Sequence, residues 1–370
     1  MPESPGLVPI NWDRLLENFV DMLSVDSYYG DEERVAAIIR PTLEPLGIRF
    51  RNDAAGNLIG SWPGRGRGDG LIMLNAHMDT VQPTPGMRPV VDADGVRSDG
   101  SSVLGADDKA GLAAIIEAVR AVDEAGLDHA PIELVITVGE ELGHIGSKAF
   151  DPASIDARTA FVFDAGGPVG TVVMRAPGQI RCTATLHGRA AHAGIEPELG
   201  ISAISLLARA VDRMPLGRID DETTANIGRI EGGQQSNIVA PTARIEAEAR
   251  SLSEDRLAGQ IDAMRKAVAD AAADLGGSFD FEEHRFYVAY QLAESEPAVG
   301  LADRAIEASG LTPRHVSTGG GSDAHEFNLN GITSVCLGVG YIDVHTTDEF
   351  MPHEALRYIT QVAAQLITQA

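Results

Sequence analysis

At 370 residues the chain exceeds one small domain and fits about two. Its 44% hydrophobic and 22% charged residues are the balance of a globular protein. A formal net charge of −25 argues against a nucleic-acid partner, which wants a basic face, and no apolar run of about 18 residues offers a membrane span.

The N-terminal stretch MPESPGLVPINWDRLLENFVDML lacks a basic n-region and a small-residue cleavage site. It predicts a short tail and an amphipathic helix, not a signal peptide. Helices are expected over 11–24 and 31–45, a strand over 57–62, and a turn at GRGRGDG, 64–70. A strand over 71–76, a helix over 108–124 and strands over 132–138, 159–163 and 171–174 follow. Strands alternating with helices predict an α/β sheet. The texture changes near Ala176-Pro177-Gly178. Beyond it the pattern predicts strand 179–187, helix 199–213, strands 223–230 and 237–250, helix 253–275 and strand 278–290. That βαββαβ order is ferredoxin-like. The α/β texture resumes with helix 297–309, strand 333–339 and helix 353–368. The second unit therefore reads as an insert, with boundaries 1–176, 177–292 and 293–370. Cys182 and Cys336 lie far apart in apolar surroundings, the pattern of buried reduced thiols in a cytoplasmic protein.

Acids and histidines collect at the element ends of the parent unit. The stretch LIMLNAHMDT, 71–80, starts as an apolar strand and ends on His77 and Asp79. GADDKAG places Asp107 and Asp108 at a helix start, and the strand 132–138 runs into Glu140 and Glu141. The strand 159–163 runs into Asp164, and the strand 333–339 leads to YIDVHTTDEF with His345. Each junction has an ordinary reading: a helix cap for Asp107-Asp108, a solvated loop for Glu140-Glu141, a loop cap for His345. Five such strand or helix junctions in one sheet-based unit point instead to a site, since sites form at the carboxyl ends of strands.

The residue types suit a pair of divalent ions about 3.5–4 Å apart, bridged by a carboxylate. Two histidines and three acids fit zinc, and manganese or cobalt fit the same set. No CxxC is present, which excludes a structural thiolate site. Asp79, two residues after His77, is placed to orient it. Of Glu140 and Glu141, one is expected to bind metal and the other to take a proton from the bridging water.

NAHMDT, GADDKAG, GEELG, FDAGG and VHTTDEF, in this order, resemble the di-metal aminoacylase/carboxypeptidase/peptidase T family, most of all its peptidase T-like (tripeptide aminopeptidase-like) branch. The resemblance spans nearly the whole chain. It implies a phosphorylase/hydrolase-like catalytic domain with a mixed central sheet, plus an inserted ferredoxin-like α+β lid and dimerisation domain. His77 and Asp164 would bind one metal, Glu141 and His345 the other, and Asp107 would bridge them, with a cis peptide to Asp108. Asp79 would orient His77, and Glu140 would be the general base. HGRAAHAGIEPELGISAI resembles the family's lid motif and makes His192 an oxyanion stabiliser that reaches a second protomer's active site. SNIVAPTARIEAEAR places Asn237 near the scissile carbonyl and Arg250 on a substrate carboxylate, for which a planar fork is suited. STGGGSDAHEFNLNGI resembles a glycine-rich substrate loop from Gly319 to Asp323, with Gly320 approaching the ligand. Two positions depart from the pattern: Asp343, where Asn is expected, and His325, where an uncharged residue is expected.

The expected reaction is hydrolysis of a peptide bond in small peptides by a water bridging two zinc, manganese or cobalt ions. Glu140 passes the proton to the leaving amine, and the metals and His192 stabilise the oxyanion. An N-acyl-amino-acid deacylase or a carboxypeptidase on the same site is the alternative, and a carbamoyl C–N hydrolase uses the same ligands. A binding protein that kept only the fold would be marked by loss of the base, and Glu140 is present.

Overall fold

The strand Ile72–His77 is buried at every position, the sign of a strand covered on both faces. It sits between Ile132–Thr137 and Thr159–Ala165 and runs parallel to both. Thr333–Gly338 extends this parallel block beside Thr159–Ala165. Antiparallel neighbours close it: Leu58–Trp62 beside Ile132–Thr137, then Arg49–Asn52, and Thr171–Ala176 on the other side. The sheet is therefore mixed, and the parallel block aims four carboxyl ends the same way.

The computed structural model describes residues 6–84 and 86–370, which form two units. The first comprises the chain up to Met174, Gln291–Ser317 and Ser322–Ala370; the second comprises Arg175–Tyr290 and Thr318–Gly321.

In the first unit, helix Ala106–Glu124 is buried along nearly its whole length. It packs on the strand Ile72–His77, on helix Trp12–Leu23 and on helix His353–Gln369. Trp12–Leu23 buries Leu15, Phe19, Met22 and Leu23, a stripe at helical spacing, and Asn11 caps it by accepting the Arg14 N–H. Arg14 Nε meets the fully buried carboxylate of Glu117 at 2.7 Å and fastens this helix to Ala106–Glu124. A small sheet of Pro89–Val91, Gly95–Ser98 and Phe350–Pro352 lies outside the expected elements, because its strands are only three or four residues long.

In the second unit, Thr223–Gly232, Thr242–Ser251, Gly178–His187 and Ser278–Tyr287 form an antiparallel sheet in that order, with Gly217–Arg218 at one edge. This is the ferredoxin-like order that the βαββαβ pattern predicts. Along Thr242–Ser251 alternate residues are buried, among them Ala243, Ile245 and Ala249. They share a core with Leu206, Leu207, Leu257, Ile261 and Met264 from helices Ala203–Arg213 and Glu254–Leu275. Two starts come later than the sequence pattern suggests. The strand expected from 237 begins at Thr242, because Pro241 has no N–H for the ladder. The helix expected from 199 begins at Ala203, where the Ser202 hydroxyl accepts the Ser205 N–H. Thr318–Gly321 lies beyond the expected insert yet belongs with it: Thr318 donates to the Arg175 carbonyl, and Gly321 lies against the Tyr287 ring.

Cys182 and Cys336 are both buried and free. Among the described residues no helix is long and apolar enough to cross a membrane.

Candidate active site

Three of the parallel strands deliver functional groups at their carboxyl ends. Ile72–His77 ends on His77, Thr159–Ala165 carries Asp164 next to its last residue, and Ile132–Thr137 leads to Glu140 and Glu141. Asp107 and Asp108 open helix Ala106–Glu124 with non-helical dihedrals and a cis peptide between them. His345 arrives on the loop after Thr333–Gly338, with φ 64.

Asp107 stands at the centre. Its Oδ1 is 3.2 Å from His77 Nε2, and its Oδ2 is 3.3 Å from His345 Nε2. Asp164 Oδ1 lies 3.8 Å from His77 Nε2 on one side, and Glu141 Oε1 lies 2.8 Å from His345 Nε2 on the other. Ligand atoms of His77, Asp107 and Glu141 fall within 4.8 Å of one another, and so do those of His77, Glu140 and Asp164. The structure thus brings together His77, Asp107, Glu140, Glu141, Asp164 and His345.

The electrostatics ask for cations. Burial pushes Asp164 well above the usual carboxylate range, and Glu140 and Asp107 repel its charge further. Burial likewise pushes Glu141 up to about 7. His345 rises to about 10 through its hydrogen bonds to Asp107 and Glu141. Burial lowers His77, but Asp107 and Asp79 outweigh it and raise the ring well above its ordinary value. Buried acids gathered around two imidazoles favour positive charge at this point of the fold. Two imidazoles and three carboxylates in this geometry fit a pair of divalent ions.

The supports are as informative as the ring of ligands. Asp79 Oδ1 lies 3.4 Å from His77 Nδ1. Its two oxygens also accept the backbone N–H groups of Glu140 and Glu141, at 2.9 and 3.1 Å. Asp79 therefore sets both the His77 ring, whose Nδ1 also lies 3.0 Å from the Asp79 backbone carbonyl oxygen, and, through its carboxylate, the turn carrying the two glutamates. Glu349 does the same elsewhere: its oxygens accept the N–H groups of Leu104, Gly105 and Asp107, at 2.9, 2.7 and 3.1 Å. Lys109, fully buried, faces Glu349, Asp79 and Asp107, and burial lowers its ammonium to about 8. Tyr341 donates to Asp164 Oδ1 at 3.4 Å. Glu349, Lys109 and Tyr341 escape sequence reasoning, because no spacing distinguishes a buried carboxylate or phenol from an exposed one.

The two departures acquire local reasons. Asp343 adopts φ 52, a left-handed conformation that Asn and Asp tolerate best. His325 is buried, with Nδ1 3.0 Å from the Ser322 carbonyl oxygen at the start of its own helix. Asp323, at the end of the glycine-rich stretch, is buried and bonded to Thr137 and Ser147.

The remaining expected residues lie in the second unit. His192 and Asn237 are exposed, and their segments are joined by a bond from the Ala193 N–H to the Asn237 carbonyl at 3.0 Å. Arg250 is half-buried; its Nη1 donates to the Gly319 carbonyl at 3.1 Å and its Nε to Glu248 at 3.0 Å. Gly320 donates its N–H to the Thr318 hydroxyl at 3.2 Å.

Fold and site together define an α/β metal-dependent hydrolase. Residues 73–369 match the peptidase family M20/M25/M40, and the chain belongs to that family. The uncharacterized protein YqjE of Bacillus subtilis (strain 168) is 41% identical, over 98% of this chain and 99% of its own. The crystal structure of aminopeptidase PepT from Bacillus cereus ATCC 10987 is 41% identical, with a TM-score of 0.89, covering 97% of this chain and 99% of that one. A tripeptidase structure from Staphylococcus aureus is 38% identical, with a TM-score of 0.93, covering 97% and 98%.

Proposed function

We propose that this protein is an aminopeptidase of tripeptide-sized substrates that works with two divalent ions per chain. The observation that carries the reading is Asp107 set between His77 and His345, each histidine with its own acid and Glu140 alongside. Similarity along the whole chain to a solved aminopeptidase and a solved tripeptidase supports the substrate class.

His77 and Asp164 would hold one ion, Glu141 and His345 the other, and Asp107 would serve both. When bound, such ions acidify a water and polarise the scissile carbonyl; zinc suits the donor set best, and manganese or cobalt fits it. Glu140 takes a proton from the attacking water and hands it to the leaving amine. Asp79 keeps Glu140 in reach through the backbone bond it accepts from that residue.

The insert, residues 177–292, serves as lid and dimerisation domain. Arg250 binds the substrate carboxylate, Asn237 and the Gly320 backbone hold the peptide near the bond to be cut, and His192 stabilises the oxyanion in a second protomer's site. The two free buried cysteines support a cytoplasmic location.

The test is a metal-stripped preparation assayed on dipeptides, tripeptides and N-acyl amino acids, with and without zinc, manganese or cobalt. Tripeptide cleavage restored at two ions per chain is the expected result. Restoration only on N-acyl amino acids would overturn the substrate class, and full turnover without metal would overturn the mechanism.

A further inference from the structure

The turn that carries Glu140 and Glu141 also carries a histidine that the reaction does not yet employ. His144 is buried and lies four residues after Glu140. Its backbone has φ 60 and ψ 41, left-handed, a conformation that few residues other than glycine adopt. The turn is closed by the Glu140 carbonyl, which accepts the N–H groups of Gly143 and His144, both at 2.8 Å. A strained residue persists where its surroundings over-determine it, and such residues concentrate at functional sites.

The ring shows what the strain achieves. His144 Nε2 lies 3.2 Å from Glu140 Oε1, and Nδ1 lies 3.7 Å from Glu326 Oε1. The imidazole therefore stands between two carboxylates, one from the catalytic turn and one from the helix Ala324–Leu329. The His325 ring is 5.7 Å away between centroids, and the Asp323 carboxylate adds its charge from the residue before that helix. Burial opposes a charge on His144, but its bonds to Glu140 and Glu326 outweigh burial and raise it to about 9. A ring protonated on both nitrogens donates from Nε2 to Glu140 and turns its Nδ1–H toward the charge of Glu326.

We propose that His144 is a positioning residue for the general base: anchored by Glu326, its ring holds one oxygen of Glu140 so that the other faces the reacting water. The proposal rests on the reading of Glu140 as that base. A carboxylate on a flexible stem has three torsions to fix, and a donor on one oxygen removes most of that freedom before substrate arrives. Misplacement of a reacting group by about 1 Å lowers a rate by as much as about a hundredfold.

The experiment compares His144→Leu, His144→Gln and His144→Asn for kcat, KM, bound metal and melting temperature. Leucine removes the donor. Glutamine returns an amide N–H at the reach of Nε2, toward Glu140, and asparagine returns one only at the reach of Nδ1. We expect kcat of His144→Leu to fall by about ten- to a hundredfold, with KM and bound metal unchanged. Glutamine restores most of the loss and asparagine little. Glu326→Gln, which weakens the anchor, gives a smaller fall of the same kind. In a Glu140→Gln background, His144→Leu causes no further loss, because the two residues act through one group.

Wild-type kcat in His144→Leu overturns the proposal. So does a loss that glutamine does not restore, a loss that follows departing metal, or a full further loss on top of Glu140→Gln. Glu140→Gln alone judges the underlying reading: if it keeps wild-type turnover, the base assignment falls, whereas an inactive Glu140→Gln beside an unaffected His144→Leu defeats only the positioning role.

Discussion

The two halves of the proposed metal site are built differently. His77 and Asp164 stand on adjacent parallel strands, and the His77 side chain is 1% exposed. Glu141 and His345 stand on loops, and the His345 side chain is 48% exposed, on a left-handed backbone. A strand end inside a sheet is fixed by ladder hydrogen bonds and by packing on both faces. A loop histidine is fixed mainly by what it binds. The difference teaches that the His77 half is a preformed seat, whereas the His345 half depends on an occupant to hold it.

The largest expected effect separates chemistry from metal holding. Glu140→Ala should lower kcat by about 10²- to 10⁴-fold while both halves keep their ions, as measured by turnover beside elemental analysis. Loss of an ion in this variant would make Glu140 a member of the His77 half. Next, His345→Ala should leave one ion per chain and an unchanged melting temperature for the stripped protein. His77→Ala should lower occupancy at both positions, since Asp107 loses the partner that orients it. Equal, single-ion losses in the two variants would erase the distinction between the halves.

Glu349→Gln sharpens the comparison from beneath. The carboxylate accepts three backbone N–H groups on the turn that carries Asp107, the residue both halves share. Replacing it with an amide should destabilise the protein by about 1–3 kcal/mol in urea unfolding and weaken the His345-side ion more than the other.

The smallest effect lies outside both halves. His129 stacks on Trp62 with ring centroids 3.8 Å apart, and burial lowers its pKa below the ordinary histidine value. Its folded-state value is depressed, so its contribution is present above the unfolded value of about 6.5 and is lost as pH falls below it. His129→Gln should therefore flatten the decline in stability between about pH 7 and pH 5. An unchanged decline would remove His129 as the source of the acid sensitivity.

Much of this was legible in the sequence. Periodicity placed Ile72–His77, Ile132–Thr137 and Thr159–Ala165 closely, because continuous apolar runs between turn residues leave little choice. The βαββαβ texture likewise announced the second sheet. Short strands such as Gly95–Ser98 carry too few residues to show a pattern. Of the site, residues at strand ends were visible because their position itself is a signal. Glu349 and His144 were not, because their importance lies in what faces them: backbone N–H groups from residues 104–107 and a carboxylate of helix Ala324–Leu329.

The bond pattern of Glu349 bears on when the enzyme comes alive. A growing chain releases His77, Asp107, Glu141 and Asp164 first, then the whole insert, and only afterwards His345 and Glu349. Until that late segment folds back, the Asp107 turn lacks its backbone anchor, and Asp107 and Glu141 lack the His345 ring. The Asp107 turn is thereby completed only when residues far along the chain have folded back onto it.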